Sequence, residues 1–265
     1  MFCEWGRTTR HSERSEESAR LDNWTPISNV QTARFLATLE MTTTRRLSIP
    51  QNSLSPAPDL PFQYIGGDPA LDLVNTVDWT SRGLVDERLT DFDRLTRWAE
   101  GAGVLPPKTG AALRRRAAAR PREAEGAYRA ALHARQVLQR VFSAIAEGKR
   151  AGDELDDFNR LLGHALEHMR MVPATGRAGG RKLRLGWEQL ETRLDAVIWP
   201  VLWSAASLIA SDEASQIRIC GSADCGWMYV DRSRNGLRRW CQMETCGTRE
   251  KSRRRYQRIK RPVPA

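Results

Sequence analysis

The chain has 265 residues, 40% of them hydrophobic, and it carries a net charge of +10. This length accommodates one or two domains with a hydrophobic core. The longest uncharged stretch, residues 196–211, is shorter than the roughly 20 apolar residues of a membrane-spanning helix, so we expect it to be a buried core helix and not a membrane anchor. The polar N-terminus does not look like a secretory signal, so we expect a cytoplasmic protein with reduced thiols.

The first 59 residues differ in composition from the rest of the chain. Residues 7–20 are charged and serine-rich, and four prolines lie between residues 50 and 61. Such a segment cannot bury enough apolar surface to offset the entropy that it loses on ordering. We predict that residues 1–59 are a disordered extension, or a spurious one if the reading frame is over-extended and Met41 is the start.

Residues 60–213 are predicted to form one mainly helical domain, because apolar residues recur at helical spacing along this segment. Residues 71–79 are expected to be buried as either a strand or a helix, and residues 171–186 to form a hairpin or a loop. The predicted helices cover residues 90–100, 107–119, 123–149, 153–169 and 188–211, with Thr90 capping the first and Pro200 bending the last.

Positive charge is concentrated in the last fifty residues. From Gln216 to the end there are 13 Lys and Arg against 4 Asp and Glu, a net charge of +9, whereas the rest of the chain has a net charge of +1. If the surplus of Lys and Arg only kept the protein soluble, we would expect these positive charges to be scattered along the chain. The asymmetry therefore favours a polyanionic partner for this part of the chain.

Four of the five cysteines fall within this basic segment. They are arranged in two pairs of equal spacing, Cys220-x4-Cys225 and Cys241-x4-Cys246, separated by fifteen residues. Two cysteine pairs on separate turns supply the four soft, tetrahedral ligands that zinc prefers, whereas four unrelated buried thiols need no such symmetry. We predict one structural zinc ion, because four protein ligands leave no open position for catalysis.

The residues between and after the cysteine pairs are predicted to form the functional surface. Residues 227–230 are predicted to form a strand, Asn235-Gly236 a turn, and residues 247–261 a helix crowded with cations, which repel each other unless a phosphate backbone lies nearby. We expect Trp227, Trp240 and Tyr256 to pack the small core of the module. The predicted nucleic-acid contacts are Arg232, Arg234, Arg238, Arg239, Arg249, Lys251, Arg254, Arg255 and Arg258.

Residues 224–258, together with the preceding Cys220, resemble the CGNR-type zinc finger, in the four cysteines, Asp231, Ser233, the run Arg238-Arg239-Trp240-Cys241 and Arg249. The preceding segment, which opens with IGGDPALDLVNTVDW, resembles the helical ABATE domain that usually comes before this finger in bacterial proteins. One position departs from the pattern, because Thr248 stands where the finger has asparagine. A threonine there keeps a hydrogen-bonding group for a helix cap but loses any amide-specific contact.

The resemblance implies a transcription regulator whose ABATE-like part is a sensor or an assembly domain. The predicted fold is accordingly mainly α: a helical domain over residues 60–213, followed by a small four-cysteine zinc-binding α+β module over residues 216–262. The charge distribution points to the same type of partner independently of the resemblance.

No residues form a convincing catalytic constellation, and we expect no enzyme activity. His164, Glu167 and His168 share a predicted helix, but their order is not the His-Glu-x-x-His of zinc proteases, and we expect ordinary helix histidines. Asp72 and Asn75 lie in an apolar segment, where they could line a ligand pocket or cap neighbouring helices; capping is favoured.

The sequence thus predicts a zinc-dependent, DNA-binding transcription regulator whose helical domain senses a signal or dimerises. The effector, expected to be a small molecule, and a homodimeric state are left open. Two alternatives rest on the same residues: a module that binds RNA, and a thiol switch in which oxidation of the cysteine cluster releases zinc.

Overall fold

The computed structural model describes residues 61–80, 83–173 and 183–260, and the predictions made for residues 1–59 lie outside this part of the chain. The helices in the described ranges are α1 (Pro69–Val74), α2 (Phe92–Gly101), α3 (Pro107–Ala119), α4 (Pro121–Ala146), α5 (Asp153–Leu166), α6 (Trp199–Ile209) and α7 (Thr248–Lys260). The strands are β1 (Val77–Thr80), β2 (Gly83–Glu87), β3 (Met169–Pro173), β4 (Leu183–Trp187), β5 (Ile217–Ile219) and β6 (Met228–Val230), paired in sequence as three antiparallel hairpins. The mainly α fold with a small α+β end is as predicted.

Local sequence signals set the helix boundaries. The start of α2 is shifted by one residue from the prediction, since the side chain of Asp91, rather than Thr90, accepts a hydrogen bond from the backbone N–H of Arg94 at 2.8 Å. Helices α3 and α4 each begin with a proline, whose missing N–H is not needed in the first helical turn. The ambiguous segment 71–79 is divided between the end of α1 and the start of β1.

The prediction of one long helix over residues 188–211 is wrong. Residues Leu194–Ile198 form a 3-10 turn, and α6 begins only at Trp199. Pro200 therefore lies in the first turn of α6 instead of bending a longer helix, because that turn has no use for the missing N–H. The helical spacing of apolar residues in α5 predicts that Leu155 and Leu166 point inward, but each side chain is 37% exposed.

Helix α4 is the centre of the helical part. It contacts α1, α2, α3 and α5, and its buried side chains include Phe142. The indole rings of Trp98 and Trp199 are also fully buried in this core. Burying a large apolar side chain stabilises a fold by about 1.5–3 kcal/mol, so each of these side chains makes a large contribution to the packing energy.

A buried ion pair fastens the first hairpin to α4. The Arg135 guanidinium donates to both carboxylate oxygens of Glu87 at 2.8 and 2.5 Å and to the Thr76 hydroxyl at 2.9 Å. The Arg135 side chain is 5% exposed, so removing one partner would leave the other charge buried and unpaired. This pair fixes the position of the chain that leaves α1.

The hairpin β5–β6 extends the same core. Ile217, Met228 and Val230 belong to the hydrophobic cluster that fills the helical part, although they lie at the start of the basic C-terminal segment.

In the described ranges, no helix has both the length and the apolar character required to cross a bilayer.

Candidate zinc centre and nucleic-acid interface

The four C-terminal cysteines meet at one point. Their sulfur atoms all lie within 4.8 Å of one another, with Sγ–Sγ distances of 3.7 Å between Cys225 and Cys241 and 3.6 Å between Cys241 and Cys246. Zinc–sulfur bonds of about 2.3 Å in a tetrahedron place sulfur atoms about 3.8 Å apart, so these separations fit zinc. Three of the four cysteines are buried.

The first cysteine pair is positioned by the hairpin. Cys220 directly follows β5 and Cys225 precedes β6, and the Cys220 N–H donates to the Trp227 carbonyl at 2.8 Å. The Gly221 N–H donates to the Arg239 carbonyl at 2.8 Å, which holds the segment before Cys241 against this turn. The hairpin thus supplies one edge of the tetrahedron and aims it at the returning chain.

The second pair is carried by a tight turn before α7. Residues Met243–Gly247 form one π-helical turn, and Cys246 lies at its end. A Cβ atom on the buried Gly247 would come within 2.4 Å of the Met243 sulfur, so a larger residue here would force the Met243 side chain to move. Cys246 is therefore held immediately before the helix that carries most of the positive charge.

Hydrogen bonds couple the protonation of the thiols. Those from Cys225 and Cys241 lower the pKa of the Cys220 thiol, while the hydrogen bond to Cys220 raises the pKa of both partners, so the crowded cluster favours thiolate at Cys220. Zinc binds cysteine as thiolate and displaces the remaining protons. With four sulfur ligands the coordination sphere is closed, so the ion's role is structural: it crosslinks the hairpin to the α7 segment.

The loop between the cysteine pairs is organised by a buried aspartate. Asp231 is 3% exposed, and its carboxylate accepts backbone N–H groups from Ser233 and Arg238, each at 3.0 Å. The turn beyond it is closed by the Gly236 N–H donating to the Ser233 carbonyl, with Gly236 at a φ of +61°. The predicted turn at Asn235-Gly236 is thereby confirmed.

Two arginines predicted as nucleic-acid contacts have partners within the protein. Arg232 donates to both carboxylate oxygens of Glu213 at 2.6 and 2.8 Å and to the Gly67 carbonyl at 2.9 Å. Arg238 donates to the carbonyls of Trp240 and Cys241, and its guanidinium lies 4.1 Å from the centre of the Tyr229 ring. Arg232 therefore links the module to the helical domain that precedes it, and Arg238 holds the loop between the cysteine pairs.

Helix α7 has one face against the module and another facing outward. On the inner face, the Ser222 hydroxyl donates to Glu250 at 3.0 Å, while Arg253 pairs with Glu250 and Asp224. On the outer face, four exposed cations follow one another at positions i, i+3, i+4 and i+7 of the helix, and none has an ion-pair partner among the described residues. We call them the cationic stripe: Lys251, Arg254, Arg255 and Arg258.

The comparisons with known proteins agree with this architecture. Residues 67–212 match the model of the ABATE family, described as "Putative stress-induced transcription regulator". The chain belongs to the ABATE family. Residues 216–259 match the CGNR zinc finger, so the two resemblances drawn from the sequence are confirmed in the predicted order. No curated protein matches the chain.

Neither the ABATE domain nor the CGNR finger is an enzyme family. The finger match and the sulfur cluster together establish one structural zinc.

Thr248, which stands where the CGNR finger has asparagine, is the first residue of α7. Its hydroxyl donates to the Met243 carbonyl at 3.2 Å, so it satisfies a carbonyl of the preceding π turn rather than accepting a backbone N–H of α7.

The aromatic side chains of the CGNR finger divide into two groups. Trp227 is 6% exposed and Trp240 is half-buried against the cysteine cluster, as predicted. The prediction is wrong for Tyr256, which is 58% exposed on α7 with the Lys260 ammonium 4.8 Å from its ring centre. The basic helix projects too far from the zinc centre for this ring to reach the core. Arg234, Arg239 and Arg249 are likewise exposed.

Asp72 and Asn75 lie where the ABATE domain meets the finger. The Asp72 carboxylate accepts the Gly66 N–H at 2.7 Å, and the Asn75 amide makes two hydrogen bonds with the backbone of Met228. The sequence left a ligand pocket and a structural role open for these residues. The described contacts give both side chains structural partners inside the protein.

Sequence reasoning did not find the attachment between the two parts. Besides Asn75, the Trp227 indole N–H donates to the Val77 carbonyl at 3.2 Å, and the Val230 N–H donates to the Gly66 carbonyl at 2.8 Å. Nothing in the local spacing of these residues predicts the pairing, because its partners lie about 150 positions apart in the chain. The only signal in the sequence was the polar Asn75 within an apolar segment.

Proposed function

We propose that this protein is a DNA-binding transcription regulator in which the zinc-bound CGNR finger docks on duplex DNA through α7. The observation that carries the proposal is the cationic stripe. Its four side chains lie on one face of a helix, they are exposed, and they have no ion-pair partners among the described residues. A helix face of this kind is suited to neutralise phosphates and to reach base edges in the major groove.

Further exposed arginines extend the basic surface beyond α7. Arg234 and Arg239 belong to the loop between the cysteine pairs, and Arg249 lies in the first turn of α7. We assign these residues to phosphate contacts as well. Arg232 and Arg238, which also stood among the predicted contacts, we assign instead to holding the finger in place, because their guanidinium groups are already engaged.

We further propose that the ABATE domain receives the signal or forms the dimer. The family description supports a regulatory role, and the finger's hairpin is packed into the core of the helical part, so a change in that part would be transmitted to the hairpin without a flexible linker. A lone finger of this size reads few base pairs, which favours a dimer on DNA.

The test is the affinity of the zinc-loaded protein for duplex DNA across a salt series. If the seven assigned cations each neutralise one phosphate, the log–log slope should be about −6.3, since each contact contributes about −0.9. Replacing all four stripe cations by glutamine should weaken binding and flatten the slope by about 3.6. The same change at Arg129, an exposed arginine of α4, serves as the matched control and should leave the slope unchanged.

The outcomes separate the alternatives. Loss of DNA binding in the stripe variant but not in the Arg129→Gln protein supports the proposal. Equal binding of wild-type protein and stripe variant would contradict it. Tighter, stripe-dependent binding to RNA than to duplex DNA would move the function to RNA recognition on the same surface.

A further inference from the structure

We propose that His164, Glu167 and His168 form a second metal site, in the ABATE domain and separate from the cysteine centre. The three residues lie at positions i, i+3 and i+4 where α5 ends, and one ligand atom from each lies within 4.8 Å of the others. Two imidazole nitrogens and one carboxylate oxygen suit a borderline divalent metal such as Zn²⁺, Co²⁺ or Ni²⁺.

The hydrogen bonding of His164 prepares it as a ligand. Its Nε2 atom lies 3.0 Å from Oδ2 of Asp195, a residue of the 3-10 turn that precedes α6. An ionised carboxylate only accepts hydrogen bonds, so Nε2 carries the proton and Nδ1 presents its lone pair. Nδ1 is buried without a hydrogen-bond partner among the described residues, and it lies 3.9 Å from Glu167 Oε2.

A carboxylate that holds the second nitrogen of a histidine is the usual outer support of a metal ligand. Asp195 is itself fixed by Arg193, which donates to both of its oxygens at 3.0 and 2.9 Å. This pairing also neutralises the guanidinium that would otherwise repel a cation beside the site. The histidine and its support are therefore positioned before any metal arrives.

The second imidazole is held by packing. The ring of His168 stacks on the buried indole of Trp199, with centroids 4.2 Å apart and planes 5° from parallel, and it meets the His164 ring edge to face at 5.6 Å. Glu167, whose side chain is 45% exposed, is the member free to rotate. A tetrahedral zinc with bonds near 2.0 Å requires ligand separations of about 3.3 Å, and rotation of Glu167 can shorten the 3.9 Å between its Oε2 and His164 Nδ1 toward that value.

Three protein ligands at the rim of the domain leave a coordination position open to water or to a donor group of an incoming ligand. The ion should therefore exchange readily, unlike the zinc enclosed by four cysteines. This inference does not depend on DNA binding, since it concerns the metal content of the protein alone.

The first test is the metal stoichiometry of the full chain. After equilibrium dialysis against zinc, elemental analysis should find two zinc ions per wild-type chain and one in the double variant His164→Gln with His168→Gln. The variant His133→Gln, which changes a histidine of α4 outside the cluster, should keep two. A mild chelator should remove the second ion before the cysteine-bound one.

A second measurement covers the case in which the double variant misfolds. In the wild-type protein, titration of the second equivalent of zinc should shift the imidazole NMR signals of His164 and His168 and leave those of His133 in place. Asp195→Asn should weaken this site by about 10- to 100-fold. A wild-type chain that stops at one zinc, or a folded double variant that still takes up two, would overturn the proposal.

Discussion

The side-chain amide of Asn75 makes two hydrogen bonds with the backbone of Met228. Its Nδ2 donates to the Met228 carbonyl at 2.8 Å, and its Oδ1 accepts the Met228 N–H at 2.8 Å. Asn75 is 2% exposed and Met228 is 1% exposed, so neither backbone group can turn to water instead. One side chain of the ABATE domain thus completes the hydrogen bonding of a strand in the CGNR finger.

Replacing Asn75 by alanine should therefore loosen the finger from the helical domain. It leaves a buried N–H and a buried carbonyl without partners, which we expect to destabilise the protein by about 1–3 kcal/mol. The measurement is chemical denaturation together with hydrogen exchange at the Met228 amide, which should become faster. Asn159→Ala, on the exposed face of α5, is the control and should change neither quantity.

Removal of one zinc ligand should unfold the finger without unfolding the α4 core. Cys246→Ser is expected to abolish the tightly held zinc, because three sulfur ligands cannot close the tetrahedron, and to release the buried ring of Tyr229. Tightly bound zinc and the near-ultraviolet circular dichroism of the aromatic residues report this. Cys3→Ser should retain the ion, and loss of zinc there would assign a ligand outside the cysteine cluster.

Arg232 and Arg255 should respond to substitution in opposite ways. Arg255→Gln should lower the magnitude of the salt slope for DNA by about 0.9 and leave the melting temperature unchanged, because its side chain is exposed and makes no ion pair with a described residue. Arg232→Gln should leave the slope unchanged and lower the melting temperature slightly, because it breaks the contacts to Glu213 and Gly67. The reverse pattern would place the DNA contact on the loop rather than on α7.

Asp72 should impose a pH dependence on stability. Burial, opposed by the hydrogen bond from Gly66, raises the pKa of this carboxyl from 3.8 to about 6. Because the folded-state pKa is raised, the stabilising contribution is complete below pH 4 and is lost as the pH rises through 6, by up to about 3 kcal/mol. The difference in unfolding free energy between wild-type protein and Asp72→Asn should therefore change between pH 4 and pH 7. A constant difference across that range would contradict the burial argument.

Much of the local structure followed from patterns within the sequence. Apolar spacing predicted α2, α3, α4 and α5 closely, because one buried face of a helix requires that period. The equal spacing of the cysteine pairs predicted the zinc centre, since four soft ligands on two turns have few other uses. The charge of α7 was equally plain, and its helical register alone brings the four stripe cations to one face.

Only the tertiary structure decided which of these groups remain available. Arg232 and Arg255 look alike in the sequence, but one is engaged by Glu213 and the other is exposed. The pairing of His164 with Asp195 spans 31 positions, and that of Asn75 with Met228 spans 153. Periodicity and spacing are short-range properties, whereas partners so distant in the chain meet only because helices and hairpins pack into a common core.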